Sequence, residues 1–238
     1  MKVAAFSDVH SNSLALRAVL EDISEESVDL MICGGDLVGY GSYPNEVIQL
    51  IREYKIPTVL GNYDDGVGFD RDDCGCAYTT REEEEIGKRS LEWTKNHVSD
   101  GNKAFLRNLP KEIRWNWNGK QVLLVHGSPR RINEYLYENR PERSLLRMLK
   151  PLQIDVLIFG HTHIPYHRVV DNVHMLNVGS VGKPKDRDPR ACYATIEFGD
   201  TLNFKFKRVS YPIEEAVKAI KQSSLPIELA DALQKAGK

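Results

Sequence analysis

Short apolar runs alternate with segments of helical periodicity along the first third of the chain. This alternation restricts the possible folds more than any other feature of the sequence. Lys2–Phe6 and residues 28–33 are typical of strands, and residues 58–60 predict a third. Residues 11–26 and 44–54 place their apolar side chains at helical spacing. Strands that alternate with helices predict βαβ units and a parallel sheet.

The rest of the chain combines predicted helices with patterns that are typical of antiparallel strands. The polar, glycine-containing stretch 64–80 predicts a long loop, and Thr80 with Glu83 predicts the start of a helix that runs to about residue 98. Asn118-Gly119 predicts a hairpin between residues 113–117 and 121–125. Further predicted elements are helices at 103–109 and 141–150, strands at 154–159, 167–170, 173–178, 191–198 and 202–209, and a helical tail from about 212 to 238 that is broken at Leu225-Pro226.

Composition and charge narrow the class of protein. The 238 residues are 41% hydrophobic and 28% charged, as in ordinary globular proteins, and the net charge of −2 argues against dedicated nucleic-acid binding. No apolar run approaches the roughly 18 residues that cross a bilayer, and the chain begins as a strand rather than as a secretory signal. We therefore expect a cytoplasmic protein without membrane contact. No change in composition marks a boundary, so residues 1–238 predict one domain.

Seven side chains that can ligate metal through oxygen or nitrogen follow the apolar runs, mostly next to glycine. They are Asp8 and His10, Asp36 after Gly34-Gly35, Asn62 after Gly61, His126, and His161 and His163 after Gly160. Each cluster alone is also compatible with an ordinary turn or surface residue. Sites in parallel α/β sheets form outside the carboxyl ends of the strands, so the clusters together predict one two-metal hydrolytic centre.

The remaining cysteines and histidines lack such a context. Cys33 and Cys192 lie in apolar runs and predict small core residues. Cys74 and Cys76 form a C-x-C in the polar loop, and a zinc or redox interpretation lacks a second pair. Three other histidines are interpreted as structural or surface residues: His97, His167 and His174.

In their order and spacing, these clusters resemble the calcineurin-like metallophosphoesterase superfamily, in particular its small prokaryotic phosphodiesterase-like branch. The family pattern D-x-H, G-D, G-N-H-D/E, H and G-H-x-H is matched between residues 8 and 163. The resemblance implies a four-layer α/β/β/α sandwich. It also implies that Asp8, His10 and His163 hold one metal, that Asn62, His126 and His161 hold another, and that Asp36 bridges both.

One position departs from the family pattern. Where many members carry a catalytic histidine, this chain has Tyr63, followed by Asp64, which would orient that histidine. We assign Tyr63 and Asp64 as candidate catalytic residues, although Tyr63 is equally compatible with packing at the cleft wall. A phenol with a pKa near 10 is a poor general acid at neutral pH, so the departure favours phosphodiester over monoester substrates.

The expected activity is that of a hydrolase: a hydroxide shared by two metals attacks the phosphodiester of a small or nucleotide substrate. The mixed ligand set suits manganese, iron, zinc or nickel. Alternatives are a phosphomonoesterase or protein phosphatase, and a non-catalytic scaffold of the same fold. Basic residues in 129–131 and 183–190, or Tyr40 and Tyr43, could contact an anionic substrate, but ordinary surface roles fit them as well. The hairpin and the β-rich end offer edge strands for a possible homo-oligomer.

Overall fold

The computed structural model describes residues 1–236, and nine strands within this range form two sheets. The strands are β1 (Lys2–Phe6), β2 (Leu30–Cys33), β3 (Glu112–Trp117), β4 (Lys120–Val125), β5 (Val156–Phe159), β6 (Tyr166–Val170), β7 (Val173–Asn177), β8 (Ala191–Phe198) and β9 (Leu202–Val209). The first sheet has the order β2-β1-β8-β9 and the second has the order β3-β4-β5-β7-β6. β1 pairs with β2 in parallel, as β5 does with β4 and β7, while the other pairs are antiparallel.

Helices cover the outer faces of both sheets. They are α1 (Ser13–Ser24), α2 (Pro44–Glu53), α3 (Asn62–Gly68), α4 (Arg81–His97), α5 (Asp100–Arg107), α6 (Glu142–Leu149), α7 (Ile213–Gln222) and α8 (Glu228–Lys235). A single 3-10 turn, Lys150–Leu152, follows α6.

Three apolar clusters define the layers. Side chains of both sheets meet in a central cluster that includes Ile32, Leu124, Ile158 and Ile196, all at most 1% exposed. A larger cluster joins the outer face of the first sheet to α1, α2, α7 and α8, and a third joins the second sheet to α6. Burial of apolar surface in these layers is the main force that holds the sheets together. The predicted α/β/β/α sandwich is therefore confirmed.

Two predicted segments differ from the structure. Residues 58–60 form one bridge, Cys33 to Thr58, because the amide of Leu60 turns away and donates to the carbonyl of Pro110 instead of extending the pairing. The predicted loop 64–80 begins inside α3, whose residues are all buried except Asp65. Burial against α4 and α5 outweighs the poor helix propensity of its glycine and aspartate residues.

Other predicted elements match closely. The hairpin of β3 and β4 turns at Asn118 and Gly119, which have φ of 49° and 79°, and a two-residue type I′ turn requires positive φ at both positions. The tail forms α7 and α8 with a break at Leu225-Pro226, and its last two positions lie outside the described residues. No helix within residues 1–236 combines the length and apolar character needed to span a bilayer. The single domain over 1–238 stays a prediction.

Candidate metal centre

The loops that follow five extended segments bring the seven predicted ligands into one buried cluster. Their exposed fractions do not exceed 3%. Two groups have ligand atoms that all lie within 4.8 Å of one another. The first group is Asp8, His10 and His163, and the second is Asp36, His126 and His161.

In the first group, hydrogen bonds to the backbone orient both histidine rings. The Nδ1 atom of His10 donates to the carbonyl of Val38 at 3.1 Å, and that of His163 donates to the carbonyl of Lys183 at 2.5 Å. Both Nε2 atoms are then left without a proton, and they face each other at 3.1 Å. Asp8 Oδ1 lies 3.2 Å from His163 Nε2 and has no hydrogen-bond donor within residues 1–236. Three lone pairs thus point into one space.

The second group is built in the same way. His126 Nδ1 donates to the carbonyl of Gly34 at 2.8 Å, which turns its Nε2 toward Asn62 Oδ1 at 2.9 Å and His161 Nδ1 at 3.2 Å. The amide nitrogen of Asn62 donates to the carbonyl of Cys74 at 3.0 Å, so its oxygen faces the group. Asn62 therefore joins the three residues as a neutral fourth candidate.

Asp36 lies between the two groups. Its Oδ2 atom is 3.3 Å from Nε2 of His126 and 3.7 Å from Nε2 of His10. Its Oδ1 atom accepts a hydrogen bond from the amide of Tyr63 at 2.8 Å, which fixes the carboxylate in place. One carboxylate oxygen thus faces histidines of both groups.

Five of the candidate ligands have left-handed backbone conformations, with φ between 48° and 67°. They are Asp8, His10, Asp36, His161 and His163. Such conformations are uncommon outside glycine, although aspartate and histidine tolerate them best, and they cost about 1–3 kcal/mol each. Backbone strain of this kind concentrates at functional sites, which agrees with the clustering here.

Glycine is required where two ligand loops touch. A Cβ atom on Gly61 would lie 2.1 Å from Asp36 Oδ1, so any other residue would displace the carboxylate. Gly35, before Asp36, has φ of 88° and faces the amide of Gly61. Gly35 thus permits the close approach of the loops that carry Asp36 and Asn62.

Asp64 connects the loops behind the centre. Its Oδ2 accepts from the amide of Gly61 at 3.0 Å, and its Oδ1 accepts from the amides of Leu37 at 2.9 Å and Val38 at 3.3 Å. Burial, together with the negative charge of Asp36, raises the pKa of Asp64 to about 7. These contacts make Asp64 a residue that positions the loops on either side of Asp36.

Tyr63 is 1% exposed and lies against the rings of His10 and Tyr40, at centroid distances of 5.5 and 4.5 Å. Its hydroxyl has no hydrogen-bond partner within residues 1–236. Burial raises the pKa of this phenol well above its ordinary value, so it keeps its proton at neutral pH.

Burial sets the charge on the histidines. It lowers the pKa of both His10 and His161 to about 3, in spite of the nearby Asp36. At His126, burial acts in the same direction, but the contact with Asp36 prevails and raises the pKa to about 9. Burial raises the pKa of Asp36 less than the charged His126 lowers it, so this carboxyl stays ionised. The centre therefore presents neutral imidazoles at His10, His161 and His163, and a charged His126 next to the ionised Asp36. Imidazole and carboxylate are donor types that transition metals bind.

The C-x-C pair lies beside the second group. Cys74 and Cys76 are free thiols with Sγ atoms 2.7 Å apart, and Cys76 Sγ accepts a hydrogen bond from the amide nitrogen of Asn62 at 3.2 Å. Among the described residues, neither cysteine belongs to a group of side chains that could hold a metal ion. The pair therefore helps to orient Asn62.

Two of the other histidines pack against each other: His167 Nε2 and His174 Nδ1 lie 3.0 Å apart, on β6 and β7. His97 is exposed at the end of α4 and stacks on Trp93. None of the three belongs to either ligand group. Cys33 and Cys192 are fully buried in the strands, as expected.

Sequence reasoning missed two supports of the centre. Tyr135 packs on the ring of His161 at 4.0 Å, and the only signal for it is the aromatic spacing Tyr135-Leu136-Tyr137 after His126. Ser180 donates to the carbonyl of Asp8 at 2.7 Å and accepts from the amide of Lys183 at 2.8 Å. The contacts of Tyr135 with His161 and of Ser180 with Asp8 join segments far apart in the chain, and local patterns do not reveal them.

The chain matches a known family over most of its length. Residues 1–201 match the model of the calcineurin-like phosphoesterase superfamily domain. An uncharacterised protein of Methanocaldococcus jannaschii is 33% identical, with 97% of this chain and 96% of that protein covered.

Solved structures of similar proteins have the same fold. A metallophosphoesterase from Sphaerobacter thermophilus is 29% identical with a TM-score of 0.80, and 99% of both chains is covered. A hypothetical protein from Pyrococcus horikoshii OT3 is 23% identical with a TM-score of 0.85, over 100% of this chain and 98% of that one. Together with the family match and the geometry of the two ligand groups, these similarities show that the chain belongs to the calcineurin-like phosphoesterase superfamily.

Proposed function

We propose that the protein is a two-metal phosphodiesterase that hydrolyses a small or nucleotide phosphodiester. The observation that carries the proposal is the position of Asp36 Oδ2, which faces His126 of one ligand group and His10 of the other. A carboxylate oxygen shared by two groups of buried ligands suits a pair of cations, and paired cations are typical of phosphate-ester hydrolysis.

The unpartnered atoms of the centre fit metal ions. Asp8 Oδ1 is buried without a hydrogen-bond partner among the described residues, and a bound cation would satisfy it together with the Nε2 lone pairs of His10 and His163 beside it. Asp8, His10 and His163 would hold the first ion, Asn62, His126 and His161 the second, and Asp36 both. Nitrogen and oxygen donors of this kind suit manganese, iron, zinc or nickel.

The chain orients the residues that would hold the cations. When bound, the two cations supply a nucleophile from water at neutral pH and stabilise charge on the phosphoryl oxygens. The carbonyls of Gly34, Val38 and Lys183 hold three imidazoles with Nε2 toward the centre, which fixes ring orientation and raises ligand basicity. Asp64 holds the loops that carry Asp36 and Asn62 in register.

Tyr63 favours a diester over a monoester. Because its buried hydroxyl keeps a firmly held proton, it can donate a hydrogen bond to a substrate oxygen but transfers a proton poorly. Good leaving groups need no such transfer. Phosphomonoesterase or protein phosphatase activity is the alternative, and the ratio of rates on p-nitrophenyl phosphate and bis-p-nitrophenyl phosphate separates the two.

Substitution of one ligand tests the centre. We expect His161→Ala to lower kcat/KM for bis-p-nitrophenyl phosphate by more than the roughly 10–100-fold that loss of an outer-shell partner costs. The bound metal of the purified variant should fall in parallel, as measured by plasma emission spectrometry.

The matched control is His97→Ala, which removes an exposed histidine at the end of α4. It should retain both metal and activity. Full activity in a folded His161→Ala protein, as judged by circular dichroism, would remove His161 from the centre and refute the proposal.

A further inference from the structure

A cavity of about 410 Å³ adjoins the candidate metal centre. This volume falls within the range of sites that bind small ligands. Aromatic and basic side chains supply much of its wall. They are Tyr40, Tyr78, Tyr135, Tyr137, Lys183 and Lys185.

The wall of the cavity is continuous with the ligand groups. Tyr135 lies on the ring of His161 at 4.0 Å, and Tyr40 lies against the ring of His10 at 4.9 Å. The carbonyl of Lys183 accepts a hydrogen bond from a third histidine of the centre. A molecule with one phosphate at the centre can therefore extend directly into this cavity.

Two of the tyrosines form a stacked pair at the edge of the cavity. The rings of Tyr135 and Tyr137 are nearly parallel, at 13°, with centroids 5.7 Å apart. Tyr137 is 47% exposed, which is unusual for a large side chain at the edge of a cavity. Aromatic side chains arranged in this way are typical platforms for nucleobases, because every base has a stacking face.

Lys185 brings a positive charge that has no ion-pair partner among the described residues, whereas burial and the neighbouring Lys185 lower the pKa of Lys183 to about 7. Lys183 Nζ lies 4.4 Å from the ring centre of Tyr40. Within residues 1–236 the lysines that form ion pairs are Lys2, Lys88, Lys103 and Lys207. Glu83 and Glu228 also line the cavity, but the carboxylate of Glu83 already accepts two hydrogen bonds from Thr79. Lys185 thus remains available to an anion.

We propose that this cavity binds the nucleoside of a nucleotide phosphodiester that carries a second phosphate group. The base stacks on Tyr137, and Lys185 binds the second phosphate while the scissile phosphate lies at the metal centre. The inference rests on the proposed phosphodiesterase function and adds the class of substrate.

A pair of chromogenic substrates isolates the second phosphate. Thymidine 5′-(p-nitrophenyl phosphate) and its 3′-phosphorylated form share the scissile bond and leaving group. We expect kcat/KM to be about tenfold higher for the 3′-phosphorylated form, the equivalent of one charge-assisted contact. Lys185→Gln should reduce this ratio to near one. Lys205→Gln makes the same change of charge at an exposed position of β9 and should leave the ratio as in the wild type.

Binding provides a readout that does not depend on turnover. Calorimetric titration of the full chain with thymidine 3′,5′-bisphosphate should give a Kd about tenfold lower than titration with thymidine 5′-monophosphate. Tyr137→Leu should raise both Kd values alike, by about 5- to 150-fold, because it removes the stacking surface for the base.

The two proposals can fail separately. Equal Kd values for the two nucleotides, or an equal loss in Lys185→Gln and Lys205→Gln, overturns the cavity proposal even if bis-p-nitrophenyl phosphate is hydrolysed. Preferential binding of the bisphosphate without hydrolysis of any diester supports the cavity and overturns the proposed function instead.

Discussion

Individual residues at the centre combine function with backbone strain. Five candidate ligands have positive φ. The sequence does not predict this conformation, because aspartate and histidine adopt positive φ much less often than glycine does. The set of candidate ligands can be read from the sequence, because each follows an apolar run beside a glycine or in a D-x-H or H-x-H pattern. The orientation of their rings depends on carbonyls such as Gly34, which lie far away in the sequence.

Tyr63 is the residue whose replacement tests the preference for diesters. We expect Tyr63→His to raise the rate on p-nitrophenyl phosphate relative to bis-p-nitrophenyl phosphate, because an imidazole can transfer a proton near pH 7 and a phenol cannot. Steady-state rates on both substrates measure the change.

Tyr63→Phe serves as the matched control, since it removes the hydroxyl without adding an imidazole. It should show no gain on the monoester. Because the hydroxyl is buried without a partner, its removal should also leave the free energy of unfolding unchanged or raise it by about 1–3 kcal/mol. No gain in Tyr63→His over Tyr63→Phe would argue against the assigned role of this position.

At the scale of elements, regular segments were predictable and irregular ones were not. α4 runs from Arg81 to His97 with Thr80 as its cap, because helical spacing and capping chemistry are local. α3 was missed because tertiary burial, rather than propensity, stabilises it. Residues 58–60 were assigned to a strand from their apolar character, but the hydrogen bond of Leu60 goes to Pro110, which no local pattern indicates.

The segment from 126 to 140 carries Tyr135 and Tyr137, and Glu134 holds it together. Glu134 accepts hydrogen bonds from Ser128 at 2.5 Å, from Arg130 Nε at 3.1 Å and from Arg140 at 2.8 Å. Its burial raises the pKa, but these hydrogen bonds prevail and lower the pKa from 4.5 to about 2. The carboxylate therefore stabilises the folded segment whenever it is ionised.

The lowered pKa predicts how stability depends on pH. The contribution of Glu134 is complete above pH 4.5, the unfolded value, and is lost as the pH falls toward about 2. We expect Glu134→Gln to lower the midpoint of urea unfolding at pH 7, with a difference from the wild type that shrinks below pH 4.5.

Glu138→Gln changes an exposed glutamate of the same segment and should leave the unfolding midpoint near that of the wild type at both ends of the range. A constant difference for Glu134→Gln across the whole pH range would show that its effect is not electrostatic.

At the scale of the whole molecule, the layered architecture is predicted by the resemblance of the ligand clusters to a known family. The order of the strands within each sheet is not predicted by it. β8 lies between β1 and β9 in the first sheet, although nearly the whole chain separates β1 from β8. Such long-range pairing leaves no trace in local periodicity. The cytoplasmic location and the homo-oligomer stay predictions.

Metal should stabilise the folded chain. A cation that binds only the folded state at a thousand times its Kd adds about 4 kcal/mol, and each kcal/mol shifts Tm by about 2–4 °C in a chain of this size. We expect Mn²⁺ to raise the Tm of chelator-treated protein in a differential scanning calorimeter.

Asp36→Asn should lose most of that rise, because one oxygen faces both groups. Asp200→Asn, in the turn between β8 and β9, should show the full rise. Equal shifts in the two variants would place the stabilising cation elsewhere.

Two hydrogen bonds of the centre cross between the sheets. His126, after β4, donates to Gly34, after β2, and the amide of His161, after β5, donates to Asp8, after β1, at 2.9 Å. Neither sheet by itself supplies all the candidate ligands of the site. The candidate site is therefore complete only when both halves have docked, so we expect ion uptake to report on correct assembly of the two sheets.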